Sequence, residues 1–553
     1  MDKLAEVIFG NGLPSPEEIF SKYPPRGLAP EQKVTRIAPS PTGFVHLGTL
    51  YMGLISERIA HRSGGIFFMR LEDTDKKREV EGSADALIRA FKTYNIMVDE
   101  GATAGNGSLG DYGPYRQSER RDIYRVFAKD LFLRGLAYPC FCDEKELGEI
   151  IAKQKSQNSP RLGYYKGWAK YRNFPPDEAL KKIKNGEEYA LRFRSDGDFN
   201  KKIIINDALK GNVEFPENDL DIVLIKGDGL PTYHFAHVVD DFLMGTTLVT
   251  RGDEWLPSTP LHFQLFRAMR WRPPRYAHIS PILKMEDGGK RKLSKRKDPE
   301  SNIDYFEKIG CPKEAVTEYL MNLANSGFED WRKQNIGESY LNFPFELKKM
   351  NVSGALFDFA KLSSVSRGVV GYMTPPEIYN RAAEWAKKYD AKLFDALRNN
   401  GEKCLKIFNV ERENPKKIRK DIGKWSDIWD EIDYYFEYDP TAATNLLKNF
   451  DPETTKLTLG EFANGYNEDD SNDQWFEKIK NIARALNYAT DLKDYKANPN
   501  NYRGCVSDIA KILRAAITLR ENSPNLYEIM KILGAEETKK RLLAAGGLAA
   551  FDK

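Results

Sequence analysis

The sequence predicts an α/β protein in which a doubly wound parallel sheet is split by an α/β insertion and followed by an all-helical C-terminal part. A strand, a helix and a second strand follow one another within residues 33–71, strand-like runs return at 221–226 and 248–251, and strand signals fade after about residue 300. With 553 residues the chain is too long for one ordinary hydrophobic core, so we expect several domains.

The first strand–helix–strand unit begins the sheet. Residues 33–38 read as a short buried strand, and apolar residues recur at helical spacing over 47–59 until Gly64 and Gly65 end the helix. Residues 66–71 are apolar again. This order is typical of the parallel βαβ unit that opens a Rossmann-type sheet, whose ligands bind at the carboxyl ends of the strands.

Helical patterns replace strand patterns in the C-terminal third. Thr374 with Glu377 forms a capping-box pattern, and a later helix face is preceded by Ser507 or Asp508. That face consists of Ile509, Ile512, Leu513 and Ala516. We divide the chain into an N-terminal extension (1–32), a first sheet half (33–110), an insertion (111–225), a second sheet half (226–300), a connecting region (301–370) and a helical domain (371–553).

Composition narrows the class of protein. Hydrophobic residues make up 41% and charged residues 30%, and 84 Lys and Arg against 81 Asp and Glu give a net charge of only +3. A nucleic acid partner must therefore be argued from motifs and not from total charge. The N-terminus lacks a signal-peptide pattern, and no apolar run approaches the roughly 20 residues of a membrane span. Five scattered cysteines favour a reducing compartment, so we expect a cytoplasmic protein.

A glycine-rich segment at residues 105–110, GNGSLG, matches the GxGxxG pattern. The pattern indicates a dinucleotide site only between a strand and a helix, and we predict neither beside it. We therefore interpret this segment as a loop.

The segment RIAPSPTGFVHLGT, residues 36–49, has features that suit a phosphate ligand. A strand end leads into a Pro-stiffened turn, and Gly43 and Gly48 allow close backbone approach. The N-terminus of the following helix offers free N–H groups and a positive dipole end, and His46 can donate to a phosphoryl oxygen. A structural turn with a single histidine is the alternative for this segment taken alone.

The segment KLSKR, residues 292–296, places three cations around Ser294 on a loop that follows two glycines. Such a loop can close over a triphosphate and neutralise a departing pyrophosphate. Taken alone, the segment is more often a solvated charged face.

Together the two segments resemble the HIGH and KMSKS signatures of class I aminoacyl-tRNA synthetases. Four further segments resemble the glutamyl branch, and the C-terminal helices resemble the anticodon-binding domain of its bacterial members. The four segments are MRLEDTD (69–75), GPYRQSER (113–120), LPTYHFAHVVDD (230–241) and RGDEWLPSTP (251–260). The resemblance is strong over 33–300 and implies a class I synthetase fold.

The resemblance implies roles for individual residues. Arg36 and Arg251, with Tyr233, would clamp the substrate carboxylates, because a guanidinium group matches a carboxylate bidentately. Ser40 and Glu72 would receive the substrate ammonium group. The implied glutamate-binding residues are Arg36, Ile37, Ala38, Ser40, Glu72, Tyr233, His237 and Arg251. The implied ATP-binding residues are Gly48, Thr49, Glu254, Lys292, Leu293, Ser294, Lys295 and Arg296, and the implied catalytic residues are His46, Lys292 and Lys295.

Two positions and one incomplete ligand set depart from the family pattern. Thr49 replaces the second histidine of HIGH, and His237 stands where some relatives have Asn. Cys140 and Cys142 match half of a zinc site found in some relatives, but the expected later cysteine is absent from the stretch GYYKGWAKYR (163–172), and a closed zinc site needs four ligands. His234 and His237 have no third ligand nearby in sequence. We therefore expect no zinc and no other protein-held metal.

The implied reaction is the ATP-dependent ligation of L-glutamate to the 3′ end of tRNA(Glu) through glutamyl-adenylate, with Mg²⁺ on the phosphates. The insertion would hold the acceptor end, residues 301–370 would contact the stem, and the helical domain would read anticodon bases, all within a monomer. The alternatives are a glutaminyl-tRNA synthetase or a glutamyl enzyme that also charges tRNA(Gln). A small nucleotidylyltransferase, a truncated tRNA-modifying relative and an RNA-binding pseudoenzyme fit the length and motifs less well.

Overall fold

A computed structural model describes residues 2–413 and 418–547, which form two compact units. The first unit contains residues 2–305 and 316–358, and the second contains 306–315 and the described residues from 359 onward. The predicted helical domain (371–553) includes residues 414–417 and 548–553, which lie outside the described residues. No helix in the described part of the chain is both long enough and apolar enough to cross a membrane.

The strands all lie in the first unit as far as the structure describes the chain. They are β1 (Val34–Ile37), β2 (Ile66–Met69), β3 (Glu100–Ala102), β4 (Ser108–Leu109), β5 (Ala137–Cys140), β6 (Ala190–Phe193), β7 (Lys202–Asp207), β8 (Gly211–Pro216), β9 (Val223–Ile225), β10 (Leu248–Gly252), β11 (Arg275–Ile279), β12 (Leu283–Glu286) and β13 (Gly289–Lys292).

The helices of the chain up to residue 334 are α1 (Asp2–Phe9), α2 (Pro16–Lys22), α3 (Leu47–Arg62), α4 (Ser83–Thr93), α5 (Arg121–Leu133), α6 (Glu144–Ser156), α7 (Pro176–Lys184), α8 (Tyr233–Leu243), α9 (Thr259–Ala268), α10 (Asp304–Lys308), α11 (Lys313–Ala324) and α12 (Gly327–Gln334). Those that follow are α13 (Phe359–Gly371), α14 (Pro375–Tyr389), α15 (Ala391–Asn399), α16 (Gly401–Asn409), α17 (Ile428–Ile432), α18 (Pro440–Leu447), α19 (Pro452–Gly465), α20 (Asn472–Ala485), α21 (Leu492–Ala497), α22 (Val506–Thr518), α23 (Leu526–Leu533) and α24 (Ala535–Ala545).

The predicted βαβ unit is confirmed by β1, α3 and β2. The two strands pair in parallel, with Val34 opposite Ile66 and Ile37 opposite Met69. The chain can return so closely because residue 65 is glycine: a Cβ there would lie 2.0 Å from the carbonyl oxygen of Lys33. Strand β3 extends the sheet in parallel beyond β2.

The second half of the sheet lies on the other side of β1. Strands β10 and β11 pair in parallel, and the Thr247 N–H donates to the Val34 carbonyl over 3.0 Å, which brings β10 beside β1. Strand β9 instead pairs antiparallel with β6, in a three-stranded sheet ordered β5-β6-β9. The predicted strand at 221–226 therefore belongs to the sheet of the insertion, and the strand at 248–251 belongs beside β1.

Two N-terminal segments have more structure than their sequences indicate. The extension 1–32 forms α1 and α2, and the ring of Phe20 lies within 6.3 Å of the rings of Phe127, Phe242 and Trp271. The GNGSLG segment contains β4, which pairs antiparallel with β3. Our expectation that no strand adjoins this segment was wrong, because β3 and β4 are too short to leave an alternating pattern.

The second unit is helical throughout its described residues, as predicted. The Thr374 side chain caps α14 by accepting the N–H of Glu377. The Glu377 carboxylate accepts the N–H of Thr374, which completes the capping box. Helix α22 buries the predicted face of Ile509, Ile512, Leu513 and Ala516. Its N-cap is Cys505 rather than Ser507 or Asp508, and the Asp508 carboxylate accepts the Cys505 N–H over 2.9 Å.

Candidate active site

A cavity of about 530 Å³ lies at the carboxyl ends of β1 and β10, where an open parallel sheet binds its ligands. Most of the residues that the sequence assigns to a site line this cavity. They are Arg36, Ile37, Ala38, Ser40, His46, Gly48, Thr49, Glu72, Tyr233, Arg251, Glu254, Lys292, Leu293 and Lys295. Segments more than 200 residues apart in sequence thus meet in one place.

Three of the assigned residues do not line the cavity. His237 is fully buried behind Tyr233, with the two rings stacked at 5.8 Å, and its Nε2 accepts the hydroxyl of Tyr276 over 3.0 Å. Ser294 and Arg296 lie on the loop beside the cavity but outside its lining. A direct contact of His237 with a ligand would need Tyr233 to move.

Arg36 is a buried cation whose charge is already balanced. Its Nε lies 3.3 Å from Asp241 Oδ2, and its Nη1 donates to the carbonyl of Thr250 over 2.9 Å. Asp241 also accepts from Arg70 over 2.7 Å. Burial alone would raise the pKa of Asp241, but Arg36 and Arg70 together hold it well below its usual range. Asp241 is therefore ionised, and it positions Arg36.

Arg251 is equally buried but has no carboxylate of the described residues within ion-pair distance. Its Nε donates to His278 Nε2 over 2.9 Å, its Nη1 lies 3.1 Å from His262 Nδ1, and its Nη2 donates to Thr259 Oγ1 over 3.0 Å. The Tyr233 hydroxyl lies 3.5 Å from Nη1. A buried cation without a counter-charge is costly, so this position is built to receive an anion.

Glu72 also lines the cavity, and the pKa of its carboxyl group is raised. Burial raises its pKa to about 7, although Arg70 and Arg36 lower it. Its Oε1 lies 3.3 Å from Nη2 of Arg70. A cationic ligand group beside it would favour the ionised form, so Glu72 suits an ammonium group.

His46 ends the β1–α3 turn and caps the helix. Its Nδ1 accepts the N–H of Gly48 over 2.9 Å, which leaves the ring proton on Nε2. Burial and the neighbouring Lys295 and Lys292 lower the pKa of His46 to about 4, so the ring is neutral near pH 7. A Cβ on residue 48 would lie 2.9 Å from His46 Nδ1, which explains the glycine.

The KLSKR loop follows the antiparallel hairpin β12–β13. Lys292 Nζ lies 2.9 Å from Glu254 Oε1, so two residues assigned to ATP contact each other across the cavity. Lys295 Nζ lies 5.1 Å from the ring centre of Phe44, and burial lowers its pKa. Both lysines therefore stand close to His46.

Asp298 anchors this loop, although it lies in none of the motifs that predict the site. The buried carboxylate accepts the Ser294 N–H over 2.7 Å, both Nη groups of Arg291 over 2.5 and 2.9 Å, and Lys284 Nζ over 3.1 Å. These cations hold the pKa of Asp298 well below its usual range. Trp255 was not among the assigned residues either: its ring lies 4.3 Å from that of Tyr233 on the cavity wall.

The Cys140–Cys142 pair lies away from the cavity, at the end of β5. Both thiols donate to the hydroxyl of Tyr164, over 3.4 and 3.7 Å. Tyr164 falls in the stretch where the sequence lacks the later cysteine. In the described part of the chain, no three His, Cys, Asp or Glu side chains are placed to hold a metal ion together.

Comparisons with known proteins agree with this arrangement. A family model described as tRNA synthetases class I (E and Q), catalytic domain, matches residues 32–355, and an anticodon binding domain model matches 505–545. The glutamate–tRNA ligase of Clostridium perfringens (strain 13 / Type A) is 47% identical over 98% of this chain and 100% of that protein. The glutamate–tRNA ligase of Acetivibrio thermocellus is 44% identical over 98% of each chain.

A solved structure gives the same result at the level of the fold. The crystal structure of a glutamate tRNA ligase from Elizabethkingia meningosepticum in complex with its amino acid matches with a TM-score of 0.73 at 28% identity, over 94% of this chain and 99% of that one. The predicted class I fold and the resemblance to the glutamyl branch are confirmed. Because the catalytic model covers more than half of the chain and the relatives match nearly all of it, this chain belongs to the glutamate–tRNA ligase family of class I tRNA synthetases.

Proposed function

We propose that this chain ligates L-glutamate to the 3′ end of tRNA(Glu) through glutamyl-adenylate, with release of AMP and diphosphate. The observation that carries the proposal is Arg251, a buried cation without a carboxylate partner in the described residues, which lines the same cavity as the ammonium-type site at Glu72. If the anion site takes the side-chain carboxylate, the ammonium site holds the α-amino group and the α-carboxylate stays free to react, which suits an amino acid with an acidic side chain.

We propose that the amino acid binds between these two groups. Arg251 and the hydroxyl of Tyr233 take the side-chain carboxylate, with Arg36 beside them. Glu72 and Ser40 take the ammonium group, and Ile37 and Ala38 form the wall at the end of β1. Since Asp241 already balances Arg36, Arg251 supplies most of the attraction for an anion.

We propose that ATP binds on the adjoining side of the cavity, at Gly48, Thr49, Glu254 and the Lys292–Arg296 loop. The substrate carboxylate attacks the α-phosphorus, the bond to the bridging oxygen breaks, and diphosphate leaves. Neutral His46 donates from Nε2 to a phosphoryl oxygen while Lys292 and Lys295 stabilise the added negative charge. Mg²⁺, which neutralises phosphate charge, would arrive on ATP.

The parts of the chain outside the cavity are assigned to tRNA. The 2′-OH of the terminal adenosine attacks the glutamyl carbonyl, and AMP leaves. We propose that the insertion (111–225) holds the acceptor end, that residues 301–370 contact the stem and that residues 371–553 bind the anticodon. The anticodon binding domain match at 505–545 supports the last assignment. We further propose a cytoplasmic monomer.

An ATP–pyrophosphate exchange assay tests the proposal. Purified protein is given glutamate or glutamine, each with and without tRNA(Glu), and exchange of labelled pyrophosphate into ATP is measured. We expect exchange with glutamate only. Exchange with glutamine but not with glutamate would favour a glutaminyl-tRNA synthetase. A separate charging assay with tRNA(Gln) and glutamate identifies a non-discriminating enzyme if glutamyl-tRNA(Gln) forms.

We also propose that the protein holds no zinc. The support for this proposal is that the thiols of Cys140 and Cys142 both donate to the Tyr164 hydroxyl rather than contacting a further cysteine. Metal analysis of the purified chain should find well below one zinc per chain, with Tyr164→Cys as a comparison that supplies a third thiolate. One zinc per chain in the unaltered protein would contradict this proposal.

A further inference from the structure

The guanidinium group of Arg251 is held entirely by neutral groups among the described residues. His278 Nε2 faces its Nε at 2.9 Å, His262 Nδ1 faces its Nη1 at 3.1 Å, and Thr259 Oγ1 accepts from its Nη2 at 3.0 Å. Arg36, in the same cavity, is held by the carboxylate of Asp241 instead. The neutral acceptors fix the position of Arg251 while leaving its charge to a ligand.

The acceptor on His278 exists because Asp207 fixes the ring tautomer. Asp207 Oδ2 lies 2.6 Å from His278 Nδ1 and 3.1 Å from its backbone nitrogen, so the ring proton sits on Nδ1. The lone pair of Nε2 then points at Arg251. Burial lowers the pKa of His278, although Asp207 raises it, so the ring is neutral near pH 7. A carboxylate that orients an imidazole in this way is a known device of enzyme sites.

A second histidine pair supports the other side of the guanidinium. Since His262 Nδ1 accepts from Arg251, the proton of His262 sits on Nε2 and is donated to His234 Nδ1 over 3.0 Å. Burial lowers the pKa of His262 well below its usual range and that of His234 to about 4. His234, His262 and His278 thus form a group of neutral rings behind the cavity wall, around Arg251.

Asp207 reaches this position from outside the parallel sheet. It ends β7 in the β7–β8 hairpin, and its Oδ1 also accepts the N–H groups of Leu209 and Lys210 over 2.9 Å each. The N–H of Ala208 donates to the Tyr276 carbonyl over 2.7 Å, which fixes the hairpin to β11. The carboxylate is therefore held rigidly against His278.

We infer that Asp207 and His278 form a positioning relay that orients Arg251 for the substrate carboxylate and thereby sets the preference for glutamate over glutamine. The inference rests on the proposed function. A tilted guanidinium would lose the bidentate geometry that a carboxylate requires, whereas a neutral amide depends on it far less.

A matched pair of substitutions at residue 278 tests the relay. In His278→Gln the amide oxygen can stand where Nε2 stood and accept from Arg251. In His278→Asn the shorter side chain reaches Asp207 but not Arg251. We expect KM for glutamate to rise roughly 5- to 100-fold in His278→Asn and to stay near the wild-type value in His278→Gln, because an unpaired buried group costs that much. In both variants KM for ATP should change little.

Asp207→Asn tests the tautomer itself. An amide donating to Nδ1 would move the ring proton to Nε2, so that a donor faces the guanidinium. We expect a higher KM for glutamate, a smaller preference over glutamine, and a changed Nδ1/Nε2 pattern for one ring in the NMR spectrum of ¹⁵N-histidine-labelled protein. Arg251→Gln sets the scale for complete loss, and Asp177→Asn, at an exposed position in α7, is the control within the insertion.

The outcomes separate the relay from the proposed function. If the wild-type protein shows no glutamate-dependent exchange, the proposed function is wrong, whatever the histidine spectrum shows. If wild-type exchange is normal but His278→Asn and His278→Gln have the same KM for glutamate, the relay is wrong. An unchanged histidine tautomer in Asp207→Asn would also contradict it.

Discussion

At the scale of single residues, burial shifts the pKa values of Glu72 and His46, two titratable groups of the cavity, in ways that suit opposite ligands. Glu72 is pushed towards its neutral form, with a pKa of about 7, and His46 is also pushed towards its neutral form, with a pKa of about 4. A neutral carboxyl ionises when an ammonium group binds beside it, whereas a neutral imidazole can donate from Nε2 to a phosphate oxygen once this oxygen replaces the Leu293 backbone as its partner.

Glu72 should make the folded protein lose stability as the pH rises. Its folded pKa of about 7 lies above the value of 4.5 in an unfolded chain, so between these values the folded state binds the extra proton. The stabilising contribution is complete below pH 4.5 and is lost as the pH rises through 7. From pH 5 to pH 8 we expect the wild type to lose roughly 2–3 kcal/mol more than Glu72→Gln.

Denaturant unfolding at a series of pH values measures this difference. Glu79→Gln, at an exposed position on the same loop, is the matched control and should follow the wild-type curve. If the free energy of unfolding depends on pH in the same way in the wild type and in Glu72→Gln, Glu72 does not have a raised pKa in the free protein.

Lys295 is the residue on which we expect the rate of adenylate formation to depend most. Its amine lies near His46 at the edge of the cavity, and burial lowers its pKa. Lys295→Ala should slow adenylate formation by roughly 10²–10³, the loss of one charge partner in the transition state, and should leave tRNA binding nearly unchanged.

Pyrophosphate exchange and filter binding of tRNA measure the two properties of Lys295→Ala separately. Lys297→Ala removes an exposed cation from the same loop outside the cavity lining and should have little effect on exchange. Full exchange activity in Lys295→Ala would remove this loop from the proposed mechanism.

The sequence predicted the cavity residues better than the residues that support them. Arg36, His46 and Arg251 lie in short motifs, so a local pattern identifies them. Asp298 and Asp207 act on residues that folding brings to them, Asp207 on a histidine 71 positions away, and no local pattern encodes such a pair. His237 was assigned to glutamate from its place in a motif, yet its ring lies behind Tyr233.

At the scale of secondary-structure elements, the hairpin β12–β13 and the loop after it are tied together by Asp298. The loop backbone at Ser294, the hairpin residue Arg291 and Lys284 all bond to this one carboxylate. Asp298→Ala should free the loop and leave two cations without this partner. We expect KM for ATP to rise about ten-fold or more, with a smaller change in KM for glutamate.

Pyrophosphate exchange at varied ATP concentration gives the KM, and limited proteolysis reports cleavage in the loop. Asp287→Ala, at the exposed turn of the same hairpin, is the matched control. The KM for ATP of Asp298→Asn should lie between those of Asp298→Ala and the wild type, since asparagine can accept hydrogen bonds but carries no charge. Equal values of KM for ATP in Asp298→Ala and the wild type would show that the anchor does not position the loop.

Elements with strong local patterns were predicted well, and short ones were not. The 16 residues of α3 show a clear helical period, and the capping box at Thr374 marks the start of α14. Strand β4 has only two residues, and β9 has three, so neither shows a period from which its pairing could be read. The N-cap at Cys505 was missed because cysteine is not among the residues that favour this position.

At the scale of the whole molecule, the two units have separate hydrophobic cores. The core of the first unit includes Leu265, which is fully buried in α9, and the core of the second includes Leu513, which is fully buried in α22. The chain passes between the units more than once, because residues 306–315 belong to the second unit. Within that unit the Trp425 N–H donates to the Gly310 carbonyl over 2.8 Å.

Separate cores predict two unfolding transitions. Leu265→Ala and Leu513→Ala remove the same side chain from the two cores, and each should lower one transition by roughly 2–5 kcal/mol while leaving the other nearly unchanged. The proposed glutamate and ATP sites lie in the first unit alone. At a hundred-fold excess over Kd, glutamate with a non-hydrolysable ATP analogue should therefore stabilise only the transition that Leu265→Ala lowers, by about 2–3 kcal/mol.

Scanning calorimetry of the wild type and the two variants, with and without these ligands, measures both effects. If the ligands stabilise only the transition that Leu513→Ala lowers, they bind to the second unit, and the site proposed in the first unit is wrong. A single transition that both variants lower equally would show that the two cores unfold as one cooperative structure. The two units would then not unfold independently, although their cores are separate.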